Sequence, residues 1–219
     1  MLLYFARHGQ TEDNLRGIIQ GHKDTPLNSH GRREAALLAD HLKVIPFTEA
    51  WTSDLSRARE TAEIVAARHK GLLVNVAAGL KERCCGSMEG RRWPKGAKLP
   101  NDIEPGDAFR ARMIAWFKSF LDAHTSSKAS MIECSEPIVL IVSHGAYMTT
   151  FLSVLLSPIF LFALAPDVDR TRSCANTSIM RVRCMEKSGK WEGVIESWAE
   201  VGHLKELLKK DLEIADDIR

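Results

Sequence analysis

The sequence of 219 residues lacks a strong charge of either sign, because 30 Lys and Arg residues oppose 28 Asp and Glu residues and leave a net charge of +2. We therefore expect neither nucleic acid nor a membrane as a partner, and an acidic ligand would have to be held by local charge. Cysteine is sparse, with five residues, of which Cys84 and Cys85 are adjacent. This odd, irregular set suits neither a disulfide framework nor a zinc site and favours a reducing, cytoplasmic location.

Apolar runs long enough to cross a bilayer are also missing. The uncharged stretch at residues 151–165 is interrupted by Pro158 and is shorter than the roughly 20 residues that a span needs, which favours a buried helix followed by a second apolar segment. No basic region precedes the apolar residues 2–6, so no signal peptide is predicted. The sequence has no His-Glu-x-x-His motif, magnesium-like acidic cluster or Walker-type glycine loop, and we predict no metal and no cofactor.

Strand-like and helix-like segments alternate through most of the chain, and no repeat or linker divides it, which predicts one α/β domain over residues 1–219. Ser29 is the predicted N-cap of the first helix, and Gly71 is the predicted C-cap of the second. Residues 80–106, rich in Gly, Pro and basic side chains, predict a lid-like loop. The predicted strands are 2–6, 49–52, 72–76, 137–142, 178–185 and 191–198, with a turn at 188–189 between the last two. The predicted helices are 28–42, 56–69, 107–124, one after residue 145 and one from about 203 to 219.

Candidate catalytic groups follow directly on these strands. Arg7 and His8 come after the first strand, Arg57 shortly after the second, and His144 after the strand at 137–142, while Glu82 lies in the loop after the third. The carboxyl ends of parallel strands meet at one edge of a sheet, so we expect these side chains to converge there.

Together such groups suit phosphoryl transfer. Two guanidiniums can hold a phosphate or carboxylate, an imidazole can accept a phosphoryl group, and a carboxylic acid can protonate the leaving oxygen. Each residue alone also has a plainer interpretation. His8 could be a structural buried histidine, Arg57 could pair with Asp54 or Glu60, and Glu82 could form a solvated surface pair with its neighbours Lys81 and Arg83.

The order of several motifs resembles the histidine phosphatase superfamily, which includes the cofactor-dependent phosphoglycerate mutases and many small phosphatases. The opening motif reads Arg7-His8-Gly9-Gln10-Thr11, with Asn14 nearby. In the second segment Asn28 replaces the more usual threonine. The other matching segments are 19–31, 53–62, 80–90, 142–145, 176–179 and 203–204.

The resemblance implies a three-layer α/β/α sandwich with a mostly parallel sheet, and it implies a role for each matching residue. His8 would be phosphorylated, Arg7, Arg57 and His144 would hold the phosphate, Asn14 would add a donor, and Glu82 would be the general acid. We expect the two arginines to keep His8 neutral, whereas His144 is more useful as a charged donor. The expected further substrate-binding residues are Gln20, Gly21, Gly145 and Arg91.

Two departures from the family pattern leave the substrate's identity open. Ala146 stands where the family often has a second glycine, and Cys84-Cys85 replace an aromatic residue. The basic stretch at residues 91–98, which includes Trp93, could form a lid that contacts a second acidic group, or it could be a solvated loop.

The resemblance favours a metal-independent phosphatase acting on a small phosphorylated metabolite. A phosphoglycerate mutase is the first alternative, although the mutases usually carry a longer insertion than the 62 positions between Glu82 and His144 (144 − 82). A non-catalytic phospho-ligand-binding module is the second alternative, although such a relative would be expected to have lost a catalytic group. The sequence carries no argument about oligomeric state.

Overall fold

A central sheet of seven strands organises the part of the chain that the computed structural model describes, residues 1–93, 96, 100–127, 136–187, 189–205 and 207. The strands are β1 (Leu2–Arg7), β2 (Glu49–Thr52), β3 (Val74–Val76), β4 (Ile138–Ser143), β5 (Ala163–Leu164), β6 (Ile179–Lys187) and β7 (Lys190–Glu200). They lie in the order β3-β2-β4-β1-β6-β7-β5. Only β6 runs against its neighbours, and all other pairs are parallel, which confirms the mostly parallel sheet.

Helices cover both faces of this sheet and confirm the three-layer sandwich. The helices are α1 (Glu12–Arg16), α2 (Ser29–Leu42), α3 (Ser56–Ala66), α4 (Gly106–Ser127) and α5 (Gly145–Leu155). Alternation along β1 sends Leu3 and Phe5 into a core with α4 and α5, and Tyr4 and Ala6 into a core with α2 and α3. Phe117 of α4 meets Phe151 of α5 at 5.0 Å between ring centroids, and burying each ring stabilises the fold by about 1.5–3 kcal/mol.

The register of the two central strands places the candidate site. Strands β1 and β4 pair so that Arg7 lies opposite Ser143. The two strands therefore end side by side at the same edge of the sheet. The amide of His8 donates to the carbonyl of Ser143 at 3.0 Å. His8 and His144, more than 130 positions apart in sequence, consequently emerge side by side.

Several element boundaries differ from the predictions. Asn28 caps α2, because its side-chain oxygen accepts from the amide of Gly31 at 2.7 Å, so the prediction of Ser29 as N-cap is wrong. Helix α3 ends at Ala66 with Ala67 as its C-cap, and Gly71, at φ +78°, lies in the turn beyond it. Helix α1 and strand β5 were not predicted, since five and two residues are too short to show a period.

The loop predicted over residues 80–106 contains two short 3₁₀ turns, Ala78–Leu80 and Gly86–Met88, the first of which begins before it. Further along this loop, the amide of Ile19 donates to the carbonyl of Arg91 at 2.9 Å, and the amide of Gly90 donates to the carbonyl of Ile19 at 2.8 Å. Part of the basic stretch, residues 94–95 and 97–98, lies outside the described residues. Most of the predicted C-terminal helix lies outside them as well, as do Cys134 and Ser188. Within the described ranges no helix is long and apolar enough to cross a membrane.

Candidate active site

His8 follows β1 and is almost fully buried at 3% exposure. Its Nδ1 lies 2.7 Å from the carbonyl oxygen of Gly9. A carbonyl can only accept, so Nδ1 must carry the hydrogen, and Nε2 is left with the lone pair that a nucleophile needs. Burial, and then the charges of Arg57 and Arg7, lower the pKa of His8 well below its ordinary value of 6.5. The ring is therefore neutral at pH 7, as expected, with burial rather than the arginines as the larger cause.

Two arginines flank His8, Arg7 half-buried and Arg57 fully buried. Arg7 donates through Nη1 to the carbonyl of Cys174 at 2.8 Å, and Arg57 donates through its two Nη atoms to the carbonyls of Lys23 and Gly21, both at 2.9 Å. These carbonyl bonds hold the guanidinium planes in place. The Nε atoms of both arginines are buried with no hydrogen-bond partner among the described residues.

The plainer interpretation of Arg57 as half of a surface ion pair is wrong. Asp54 instead pairs with Lys81 at 2.7 Å, and Glu60 pairs with Arg32 at 2.5 Å. Arg57 is 1% exposed and lies at the amino end of α3, and within the described part of the chain its guanidinium donates to backbone carbonyls.

His144 follows β4 and occupies the N-cap position of α5. Its ring centroid lies 5.2 Å from that of His8, and both of its ring nitrogens are buried and unpartnered within the described structure. Burial, followed by the charges of Arg57, His8 and Arg7, lowers the pKa of His144 well below 6.5. The expectation of a charged His144 is therefore wrong for the protein alone, and an anion beside it would oppose the effect of the neighbouring positive charges.

Unpartnered buried nitrogens are concentrated here. Seven buried side-chain polar atoms of the described residues lack a hydrogen-bond partner, and four of them belong to Arg7, Arg57 and His144. A buried donor without a partner costs roughly 1–3 kcal/mol, more when charged, so such groups cluster only where something compensates them. An anion with several acceptor oxygens would satisfy all three residues at once.

Glu82 faces the same site from the loop after β3. Its Oε1 accepts from the amides of Arg83 at 2.9 Å and Tyr147 at 3.0 Å, and its Oε2 accepts from the amide of Ala146 at 3.0 Å. The carboxyl group thus lies at the amino end of α5 rather than in a solvated surface pair. Oε1 already has two donors, so Oε2 is the oxygen with room for a proton.

The smaller predicted residues complete the wall. The side-chain oxygen of Asn14 accepts from the amide of Thr11 at 3.1 Å, and that of Gln20 accepts from the hydroxyl of Thr11 at 3.0 Å, which leaves their amide nitrogens available as donors. Gly21 has φ +52°, and a Cβ there would meet Glu89 Oε1 at 2.3 Å, so only glycine fits. A Cβ on Gly145 would lie 3.2 Å from Arg7 Nε, which shows how closely the backbone packs on that guanidinium.

A cavity of about 600 Å³ opens onto these groups. Eight of the ten predicted site residues line it: Arg7, His8, Asn14, Gln20, Gly21, Arg57, Glu82 and Gly145. His144 is fully buried and is not among the lining residues, but its ring centroid lies 5.2 Å from that of His8, which is. Arg91 is exposed and does not line the cavity, and its contact with substrate stays a prediction.

Sequence reasoning missed several lining residues, including Arg83, Cys85, Thr149, Ser173 and Cys174. Arg83 and Cys85 could have been inferred from their closeness to Glu82 in the chain, whereas Ser173 and Cys174 carry no sequence signal. Burial and the nearby Glu82 raise the pKa of the Cys85 thiol to about 11, so this cysteine stays protonated at pH 7.

A segment before β6, which the sequence matched to a family motif without assigning it a role, supports the backbone of the nucleophile. Asn176 donates through its side chain to the carbonyl of His8 at 2.9 Å, and the amide of Thr177 donates to the carbonyl of Arg7 at 3.1 Å. The hydroxyl of Thr177 lies 3.0 Å from Nε2 of His203. Three sequence-distant segments thus fix the position of one catalytic loop.

Comparison with known proteins places this geometry in a family. The pattern of the histidine phosphatase superfamily (branch 1) matches residues 3–197. A probable phosphoglycerate mutase GpmB of Klebsiella pneumoniae is 32% identical over 213 residues, covering 92% of this chain and 94% of its own.

Two solved structures are similar to this chain over most of their length. A phosphoserine phosphatase mutant from Entamoeba histolytica in complex with phosphoserine has a TM-score of 0.68 and 25% identity, covering 93% of this chain and 98% of that one. A mycobacterial glucosyl-3-phosphoglycerate phosphatase has a TM-score of 0.74 and 24% identity, covering 91% and 99%, which shows the shared fold.

Proposed function

The chain belongs to the histidine phosphatase superfamily, and we propose that it is a phosphatase that hydrolyses a small phosphomonoester through a phosphohistidine on His8. One observation carries the proposal: Arg7, Arg57 and His144 have buried nitrogens without a hydrogen-bond partner among the described residues, and they lie near an imidazole whose Nε2 is free to attack. Donors aimed at the place where charge develops are the main source of stabilisation in phosphoryl transfer.

In the first step the phosphate dianion binds to Arg7, Arg57 and His144, with Asn14 as a further donor. Nε2 of His8 forms a bond to phosphorus while the bond from phosphorus to the ester oxygen breaks. Glu82, protonated on Oε2, donates that proton to the departing oxygen, so the alcohol leaves neutral.

In the second step the ionised Glu82 accepts a proton from a water molecule as that water attacks phosphorus. The bond from phosphorus to Nε2 breaks, inorganic phosphate forms, and His8 returns to its neutral state with Glu82 protonated again. Every group this cycle needs is a side chain of the site, and we propose that it proceeds without a metal or other cofactor.

A mutase would instead return the phosphoryl group from His8 to a different oxygen of an organic phosphate. The similarity to a probable phosphoglycerate mutase favours this alternative. The short separation of Glu82 and His144, 62 positions (144 − 82), favours hydrolysis. A binding module without catalysis would bind phosphate and release nothing.

An assay with 4-nitrophenyl phosphate in the presence of EDTA tests the proposal. We expect release of inorganic phosphate, abolished in His8→Ala and retained in the control His69→Gln, because His69 lies beyond the far end of α3 from the site. Near-normal activity of His8→Ala, or loss of activity with EDTA that Zn²⁺ or Mg²⁺ restores, would contradict it. Exchange between 3- and 2-phosphoglycerate without net phosphate release would establish the mutase, and tight phosphate binding without turnover would establish the binding module.

A further inference from the structure

The loop that carries Glu82 has no regular secondary structure between Lys81 and Cys85, so its carbonyl groups need partners from elsewhere. Arg112 of α4 supplies them. Its Nη1 donates to the carbonyl of Lys81 at 2.7 Å and to that of Gly79 at 3.3 Å, and its Nη2 donates to the carbonyl of Glu82 at 2.6 Å. One guanidinium therefore holds the backbone at Glu82 and immediately before it.

Glu104 fixes Arg112 in this orientation. The two side chains form a two-point ion pair, with Nε to Oε1 at 2.7 Å and Nη2 to Oε2 at 3.0 Å. Oε2 of Glu104 also accepts from the amide of Cys84 at 3.1 Å, on the other side of Glu82. The guanidinium carbon lies 4.7 Å from the ring centroid of Phe109, which closes off one face of the group.

The position of the Glu82 carboxyl group depends on the backbone of the loop that Arg112 and Glu104 hold in place. Its carboxyl group spans from the loop to the amides of Ala146 and Tyr147, both at 3.0 Å, on a different element of the fold. A displacement of the loop by about 1 Å would break these bonds and move Oε2 away from the leaving oxygen, and such misplacement costs up to about a hundredfold in rate.

We propose that Arg112, oriented by Glu104, is a positioning residue that fixes the Oε2 of Glu82 for proton donation to the leaving group. The proposal rests on the proposed function, because it assumes that Glu82 is the general acid. It assigns to α4 a part in the reaction that neither the family resemblance nor the motif pattern indicated.

The test measures kcat/KM for a series of phosphate monoesters whose leaving alcohols differ in pKa, from 4-nitrophenol to phenol and an alkyl alcohol. A good leaving group needs little protonation, so the loss of a positioned acid shows mainly with poor ones. Arg112→Met should lose less than about threefold on 4-nitrophenyl phosphate and about 10- to 100-fold on phenyl and alkyl phosphates. The matched control is Arg110→Met, an exposed arginine on the same helix, which should leave the whole series unchanged.

A double variant separates positioning from a merely structural role. If Arg112 acts through Glu82, Arg112→Met combined with Glu82→Gln should be no slower on phenyl phosphate than Glu82→Gln alone. Equal losses of Arg112→Met on every ester, or additive losses in the double variant, would overturn the proposal. If Arg112→Met does not fold, by circular dichroism and thermal unfolding, Glu104→Gln replaces it in both experiments with the same criteria.

The outcomes also distinguish this inference from the proposed function. A steep leaving-group dependence in Glu82→Gln with a flat one in Arg112→Met would reject only the positioning role. A flat dependence in Glu82→Gln, or no hydrolysis by the unaltered protein, would reject the proposed role of Glu82, and the positioning role with it.

Discussion

Inorganic phosphate should stabilise this protein against unfolding, because it would supply acceptors to the buried nitrogens of Arg7, Arg57 and His144. A ligand that binds only the folded state at 100 times its dissociation constant adds about 2.7 kcal/mol to the free energy of unfolding. For a chain of 219 residues, each kcal/mol raises Tm by about 2–4 °C, so the expected increase is about 5–11 °C.

Arg57→Met should remove about half or more of this increase. A hydrogen bond from a charged donor contributes about 1.5–3 kcal/mol, so the variant should bind phosphate about 10- to 100-fold more weakly. At the phosphate concentration that is 100 times the original dissociation constant, the added stability should fall to about 0.4–1.4 kcal/mol. The quantity compared is the increment caused by phosphate, which is independent of any effect of the substitution on the unliganded fold.

Thermal unfolding followed by circular dichroism measures this increment, with sodium chloride at equal ionic strength as the reference. Arg59→Met is the matched control, because Arg59 lies on the same helix but is exposed and paired with Glu63 at 2.8 Å. It should respond to phosphate as the unaltered protein does. An increase below about 1 °C in the unaltered protein, or equal increases in both variants, would refute the assignment of this cluster as an anion site.

Three further expectations follow from the burial and packing of single groups. Burial and His41 lower the pKa of His203 from 6.5 to about 4, so the unfolded chain takes up its proton first and stability falls between those pH values. His203→Gln should reduce that loss by on the order of 2 kcal/mol after allowance for partial exposure, measured by urea unfolding at pH 7 and pH 4.5, and an unchanged loss would contradict it. Gly193→Ala should cost about 1–3 kcal/mol in the same assay, since its Cβ would lie 2.2 Å from the ring of Phe162, and no loss would show that the ring can move freely. The pKa of His8 is lowered below 6.5, so kcat/KM for a substrate that does not titrate in this range should stay level as pH falls through 6.5, and a decline with a midpoint at or above 6.5 would contradict a neutral nucleophile.

The edge of the sheet where the site lies could be predicted from sequence because strand ends are local features. The apolar runs that end at Arg7 and Ser143 fix where each of these two strands ends, and their parallel pairing brings those ends together. The two histidines and Arg57 were found for this reason. Glu82 was a candidate from its loop after the third strand, but its role as general acid came only from the family motif, because its neighbours Lys81 and Arg83 do not distinguish it from a surface carboxylate.

The remaining parts depend on contacts between distant segments. Cys174 reaches Arg7 across 167 positions, and His203 reaches Thr177 from a turn after the last strand, so neither contact leaves a periodic trace in the sequence. Arg112 shows only as one more charged residue of a helix. Arg91 does not line the cavity, and the basic composition of its stretch gives no indication of which of its side chains face a ligand.

The direct test of the central claim is to trap the enzyme during turnover by quenching in base and to map the phosphoryl group by mass spectrometry of the resulting peptides. The account predicts a phosphoryl group on nitrogen, stable in base and lost in acid, on the peptide that contains His8. A base-stable group on His144 instead, or an acid-stable ester on a serine or threonine, would contradict it.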